Sequence, residues 1–183
     1  MSKIEEPELP SCIITSGMLR NADSKINEVK IERTVASKID TLTGILGEFI
    51  FSEYFYGDWK KNRVGKNKGE TDFPEIEIKT SAFPYSDKLN LLVREDYALK
   101  RKPKAYVQII VDVDPNEMEK ITDGMKAYLC GWATSEEIDK APKKDLGSKS
   151  SYHSGYKCHY ISLKELHPMD KLKTFLNNSS NQF

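Results

Sequence analysis

The sequence predicts a mixed α/β (α+β) fold in which helices flank a central sheet. Three observations carry this reading. Residues 105–113 (AYVQIIVDV) are apolar on both faces, as a strand buried between two layers must be. Residues 75–79 (EIEIK) alternate charged and apolar positions, the period-two pattern of a half-buried strand. Between Lys25 and Tyr56, apolar residues recur at three-and-four spacing, which reads as helix.

The chain of 183 residues fits one domain, 1–183, large enough for a substantial core. Its 38% hydrophobic and 31% charged residues describe an ordinary soluble protein. Lysine plus arginine equals aspartate plus glutamate at 28 each, which argues against a histone-like coating of nucleic acid. Zero net charge still allows an acidic site offset by basic patches elsewhere. Cys12, Cys130 and Cys158 are odd in number and widely spaced, so no disulfide framework is indicated and a reducing cytoplasm is the expectation. No apolar run approaches the ~18 residues of a membrane span, and the first residues carry no signal-peptide pattern.

Taken in order, residues 1–24 read as an extended N-terminal segment, with a short strand or packing strip at 11–14. Helix is expected over 25–56. Gly44 and Gly47 interrupt it at about 1 kcal/mol each relative to alanine, a cost that suggests a close packing contact. Tyr56-Gly57-Asp58 ends it. A glycine-containing loop over 59–69 holds Trp59 and five basic residues, Lys60, Lys61, Arg63, Lys66 and Lys68. After the 75–79 strand, 84–87 reads as a turn and 89–93 as the third strand of a meander. Residues 95–99 form a short helix running into a second basic cluster at 100–104, read first as a solvated face. Gln108 is the one polar interior residue of the 105–113 strand, and a buried glutamine usually satisfies neighbouring backbone. Residues 125–132 are another strand, followed by a helix start with Thr134 as N-cap and Glu137 at the capping-box position. The polar stretch 141–156 reads as a loop, 160–163 as strand, and a last helix leads to a frayed tail at 177–183. His153, Cys158 and His159, with Cys130, offer zinc-binding residue types. Their spacing matches no strong zinc pattern, and Cys158 and His159 point oppositely if they share a strand.

The chemistry concentrates in residues 69–80 (GETDFPEIEIKT). Glu77 and Lys79 share one strand face, while Ile76 and Ile78 point the other way into a core. A carboxylate and a lysine side by side on a half-buried strand suit a divalent cation. Asp72 and Glu77 would supply hard oxygen ligands, and Lys79 would stand beside the water or the phosphate. Asp58 is the alternative first acid, but Pro74 supplies the turn that brings Asp72 to Glu77.

Asp72, Glu77 and Lys79, with Gly47-Glu48 on a preceding helix, resemble the PD-(D/E)xK nuclease superfamily of restriction endonucleases, junction resolvases and small phage or prokaryotic nucleases. The resemblance covers roughly residues 33–135, with Thr71 where the superfamily's name has proline. It implies a restriction-endonuclease-like mixed sheet flanked by helices and a metal-dependent endonuclease that hydrolyses DNA. In that scheme Asp72, Glu77 and the Ile78 carbonyl hold one or two Mg2+ (or Mn2+) ions, and Glu48 assists from its helix. Lys79 orients or deprotonates the attacking water, or neutralises charge on the phosphate. Lys60, Lys61, Arg63, Lys66 and Lys68 then contact DNA phosphates, as do the hydroxyls of Thr80 and Ser81, and the cluster at 100–104 is a second candidate to flank the DNA groove. Superfamily members that cut two strands often work as dimers, so a homodimer is one expectation, which no residue of this chain supports. The alternative is a non-catalytic nucleic-acid-binding protein on the same fold; a third reading is an interaction protein that never meets nucleic acid.

Overall fold

The computed structural model describes residues 6–28, 38–62, 70–146 and 155–180. Among these it is a mixed α+β fold with five α-helices and two sheets, one of four strands and one of three. The elements run β1 (Ser11–Ile13), α1 (Ser16–Glu28), α2 (Lys38–Tyr56), β2 (Ile76–Phe83), β3 (Asn90–Arg94), α3 (Glu95–Lys100), β4 (Ala105–Asp112), β5 (Lys126–Thr134), α4 (Ser135–Lys140), β6 (Lys143–Leu146), β7 (Tyr156–Ser162) and α5 (Leu172–Ser180). No helix among the described residues is long and apolar enough to cross a membrane.

The four-stranded sheet has the order β1-β5-β4-β2. As the apolar run predicts, β4 is central: it pairs parallel with β2 and antiparallel with β5, and every residue from Ala105 to Val111 is buried. Gln108 is 1% exposed, and its amide donates to the Ile109 carbonyl at 2.9 Å, the neighbouring-backbone role expected of it. One sheet face presents Ile76, Ile78, Val107, Ile109, Leu129 and Trp132 to the main core, which they form with Leu46, Phe49, Ile50 and Phe51 of α2. α2 is apolar nearly all round because α1 and the sheet both cover it. The capping box is present at α4, where Thr134 and Glu137 satisfy each other's backbone N–H groups.

Several expectations are corrected. The segment 1–24 is not extended throughout, because Ser16–Glu28 is helical. Met18 and Ala22, one turn apart, are buried with Ile14, and the Thr15 hydroxyl accepts from the Met18 N–H at 3.2 Å. The polar residues between them hide this short apolar stripe. The helix expected over 25–56 is two helices, α1 and α2; residues 29–37 lie outside the described part of the chain. The third strand of the expected meander leaves the first sheet: β3 pairs antiparallel with β7 in the second, of order β3-β7-β6. Its alternation buries Leu91 and Val93 against Tyr106 and Ala133 on the other face of the first sheet and against Ile138 of α4. The stretch read as a loop from 141 contains β6, and the tail expected to fray from 177 is helical to Ser180.

Gly47 is where α2 meets β2. A Cβ built there would stand 1.7 Å from the Thr80 hydroxyl oxygen and 2.7 Å from its Cβ. A Cβ at Gly44, three residues earlier on the same helix, would meet nothing within 4 Å. Alanine gains about 1 kcal/mol of helix propensity at either position, so sterics decide the sign. Gly47→Ala is expected to destabilise the fold by about 1–3 kcal/mol, the cost typical of overpacking. Gly44→Ala is expected to stabilise it by about 0.5–1 kcal/mol. Urea midpoints of the two variants moving in opposite directions is the result that checks the contact.

Candidate active site

β2 lies at the edge of its sheet, with one side paired to β4 and the other open. Ahead of it, Phe73 and Ile76 exchange backbone hydrogen bonds, both 3.0 Å, closing a two-residue turn through Pro74 and Glu75. Pro74 presets its own φ, and Glu75 takes the left-handed conformation at φ 66°, unfavourable for a residue with a side chain. Contacts to the start of β4 hold Glu75 there. Its carbonyl accepts from Lys104 N–H at 2.8 Å, and its carboxylate pairs with Lys104 Nζ at 2.9 Å.

This turn is what brings the two acids onto one short segment. Asp72 Oδ2 accepts the Ile78 backbone N–H at 2.7 Å, which ties the aspartate to the strand that carries Glu77. A residue's N–H and C=O point to the same side of a strand, so the Ile78 carbonyl faces the edge at which Asp72 stands. Asp58, the alternative first acid, is used elsewhere: Oδ1 accepts from Lys60 N–H at 2.9 Å and caps the 3-10 turn Trp59–Lys61.

Glu77 and Lys79 project from the face opposite the main core. The parallel register sets Glu77 beside Tyr106 and Lys79 beside Gln108. Glu77 is only 7% exposed, and two cations compensate it. Lys79 Nζ stands 3.7 Å from Glu77 Oε1, and an Arg101 guanidinium nitrogen stands 3.3 Å from the same oxygen. These three side chains, with Tyr97 and Tyr106, line a cavity of about 180 Å³. The Lys79 ammonium lies 5.9 Å from the centre of the Tyr97 ring, and Tyr106 OH donates to the Arg101 carbonyl at 3.4 Å. Burial, and next the Glu77 carboxylate, push the Tyr106 phenol up to about 12.

Glu48 follows Gly47 on α2 and so comes to β2 from the side that carries Ile76, Ile78 and Thr80, opposite Glu77; its Oε2 is shielded from solvent. Among the described residues, no group of three or more histidine, cysteine, aspartate or glutamate side chains gathers closely enough to hold a metal ion. By type, Asp72, Glu77, Glu48 and the Ile78 carbonyl are hard oxygen donors of the kind Mg2+ or Mn2+ takes, but Glu48 and Glu77 come to β2 from opposite sides, and the cavity at Glu77 holds that carboxylate with two cations. Carboxylates repel one another until a cation offsets them, and here Arg101 and Lys79 offset Glu77.

The remaining expectations divide. The Thr80 hydroxyl is buried under Gly47, without a hydrogen-bond partner among the described residues, and is not presented to a phosphate. Its strand parity directs it to the helix, a consequence of the α2 contact. Ser81 is half-buried on β2. Lys60 and Lys61 are exposed on the turn after α2, whereas Arg63, Lys66 and Lys68 fall outside the described residues. Sequence reasoning missed Tyr97 and Tyr106 and took Arg101 only as one of a basic cluster, not as a partner of Glu77. Arg101 lay within the cluster read as a solvated face, whose other members do make surface pairs, Lys102 with Asp139 and Lys104 with Glu75.

The Tyr106 shift provides a check on this geometry that needs no activity. A phenol whose folded pKa is raised contributes stability that is present below the ordinary tyrosine value near 10 and lost as pH rises toward 12. Glu77→Gln removes one of the charges that raise it. Tyr106 is expected to stay protonated at pH 10–11 (roughly the window between the ordinary and raised values) in the wild type and to begin ionising there in the variant. Titration of ring-13C-labelled tyrosine by NMR reads this directly.

No protein-family model, curated protein or solved structure matches the chain.

Proposed function

We propose that the chain is a metal-dependent nuclease that hydrolyses DNA phosphodiester bonds at the edge of β2. Asp72, Glu77 and the Ile78 carbonyl would hold Mg2+ or Mn2+, with Glu48 assisting from its helix. The observation that carries the reading is the conjunction at Glu77: a buried carboxylate 3.7 Å from Lys79 on one strand face, in a cavity, with Asp72 bonded to the adjoining backbone.

A bound divalent cation would supply Lewis-acid charge and a water more acidic than bulk water. The chain's own groups account for the rest. Lys79, whose side chain keeps 27% of its surface open, is placed to donate to a non-bridging phosphate oxygen and to steady the negative charge that grows there as water attacks phosphorus. Arg101 brings a second, planar cation to the same cavity, a shape that matches phosphate oxygens. Ile78 N–H holds the Asp72 carboxylate in place, so the group does not have to be ordered at the moment of reaction. Lys60 and Lys61, exposed on the turn beyond the end of α2, would add contacts to phosphates.

The test is cleavage of linear duplex, single-stranded and four-way-junction DNA with Mg2+ or Mn2+, with chelator, and in Lys79→Ala and Glu77→Gln. Cleavage that requires the cation and falls by about 10²–10⁴-fold in either variant, with DNA binding by Lys79→Ala retained, is the expected outcome. A second reading, a nucleic-acid-binding protein without catalysis, is favoured by the ion pairs that already neutralise Glu77. Salt-dependent binding with no cleavage of any substrate would select it.

The basic turn has its own signature. Replacing Lys60 and Lys61 by glutamine is expected to weaken binding evenly across sequences. It should also reduce the slope of log affinity against log salt by about 1.8 on duplex DNA, since each phosphate contact contributes roughly 0.9. An unchanged slope would remove these residues from the interface.

A further inference from the structure

The three-stranded sheet has an inner and an outer face. Leu91 and Val93 of β3 are buried on the inner one, where α3 and α4 join them through Ala98 and Ile138. Strand alternation therefore turns Leu92 and Arg94 outward. Residues directly opposite in a ladder share a face, so the register sends Tyr160 out beside Leu92, and Lys144 out beside Cys158. Tyr156, two residues before Cys158 on β7, points the same way. Leu92 is 37% exposed and Tyr156 42%, large side chains with water over them.

Rings and cations alternate across this face. The Arg94 guanidinium lies between two tyrosines, 4.9 Å from the Tyr97 ring centre and 4.7 Å from that of Tyr156. Asp96 accepts from its Nε at 3.0 Å and from a terminal nitrogen at 2.9 Å, a bidentate grip that fixes the guanidinium plane between the rings. Lys144 Nζ stands 4.9 Å from the centre of the Tyr160 ring and has no carboxylate partner among the described residues. Tyr97 carries the strip to the candidate active site, because the same ring lines the Glu77 cavity and lies beside Lys79.

A base can lay its flat face on a tyrosine ring only where it is out of a duplex. Cations set among the rings meet the phosphates that accompany the bases. An acidic partner without bases would use the cations and leave the rings idle. We infer that the outer face of the three-stranded sheet is a platform for single-stranded DNA. Bases stack on Tyr156 and Tyr160, Lys144 takes a phosphate, and Tyr97 passes the strand toward Lys79. The choice of DNA rests on the nuclease reading above, and the platform names its form: a single strand, or a duplex with a single-stranded tail. Binding to the platform needs neither Glu77 nor a metal ion.

The experiment measures anisotropy of fluorescein-labelled oligothymidylate and of a labelled blunt duplex with the full chain, without divalent cation. The wild type is expected to bind oligothymidylate more tightly than the duplex. Tyr156→Ala and Tyr160→Ala are each expected to weaken the single strand by about 5–100-fold, the loss of one base stacked on one ring, and to leave the duplex unchanged. Tyr156→Phe keeps the ring and stays near wild type. Lys144→Gln should reduce the slope of log affinity against log salt by about 0.7, the single-strand contribution of one phosphate. Tyr156 is exposed at the start of β7, so its two variants test the platform even where Tyr160→Ala fails to fold. Oligothymidylate affinity unchanged in Tyr156→Ala and Lys144→Gln, with only thermal stability reduced, would make the ring–cation pairs a brace for the sheet. That result overturns the platform, and cleavage of DNA by the same protein would leave the nuclease reading standing. Ring-dependent binding of the single strand without cleavage of any DNA would support the platform and remove the nuclease reading. No binding of either DNA would overturn the platform.

Discussion

A carboxylate almost fully removed from water needs a counter-charge, and the candidate site is organised around that requirement at Glu77. Left without partners, a buried carboxylate would take up a proton or expel its strand from the sheet. The fold delivers two cations by different routes. Lys79 arrives through strand periodicity, two residues along on the same face. Arg101 arrives through topology: the excursion between β2 and β4 passes through β3 and α3 and returns the chain just above the strand that Glu77 pairs beside. Tyr106, next to Glu77 in register, fastens that return by its hydrogen bond to the Arg101 carbonyl.

The other face of β2 sets the geometry on which this charge balance rests. α2 can lie close to the strand because Gly47 has no side chain to oppose Thr80. A strand pressed from one side by a helix, and paired along one edge, has little freedom left except at its open edge. That edge carries the Pro74–Glu75 turn. The left-handed Glu75 is held by Lys104 and by backbone donors at the start of β4, and the turn returns Asp72 to the Ile78 amide. Local strain is thus offset by contacts from another strand, an arrangement common where a chain must place one group closely.

Much of this was legible in the sequence where a local rule decides it. The central strand, the alternating strand with Glu77 and Lys79 on one face, the α4 capping box and the close contact implied by a glycine within α2 all follow from period, propensity or sterics within a few residues. The parts that were not legible depend on partners distant in sequence. α1 carries a narrow apolar stripe, buried only because α2 lies against it. β3 has a strand's alternation, but nothing in its residues tells which of two sheets it joins. The same applies to the site. Glu77 and Lys79 are paired by spacing alone, whereas Arg101 sits in a lysine-rich run whose neighbours are surface ion pairs. Only the register of β2 against β4 distinguishes it from them.

The two sheets are interleaved along the chain. β2 belongs to the first, β3 to the second, β4 and β5 to the first, and β6 and β7 to the second. Neither sheet is therefore a contiguous piece that can detach and leave the other whole. β3 leaves β2 and reaches β7 across nearly seventy residues, so loosening β7 releases β3, and with it the α3 segment that ends at Arg101. Opening of the three-stranded sheet and exposure of Glu77 thus belong to one cooperative unit. The acidic strand is covered by Tyr97 and Arg101, on and just after a helix that packs on a sheet β2 does not join, so its electrostatic state follows the integrity of that distant layer.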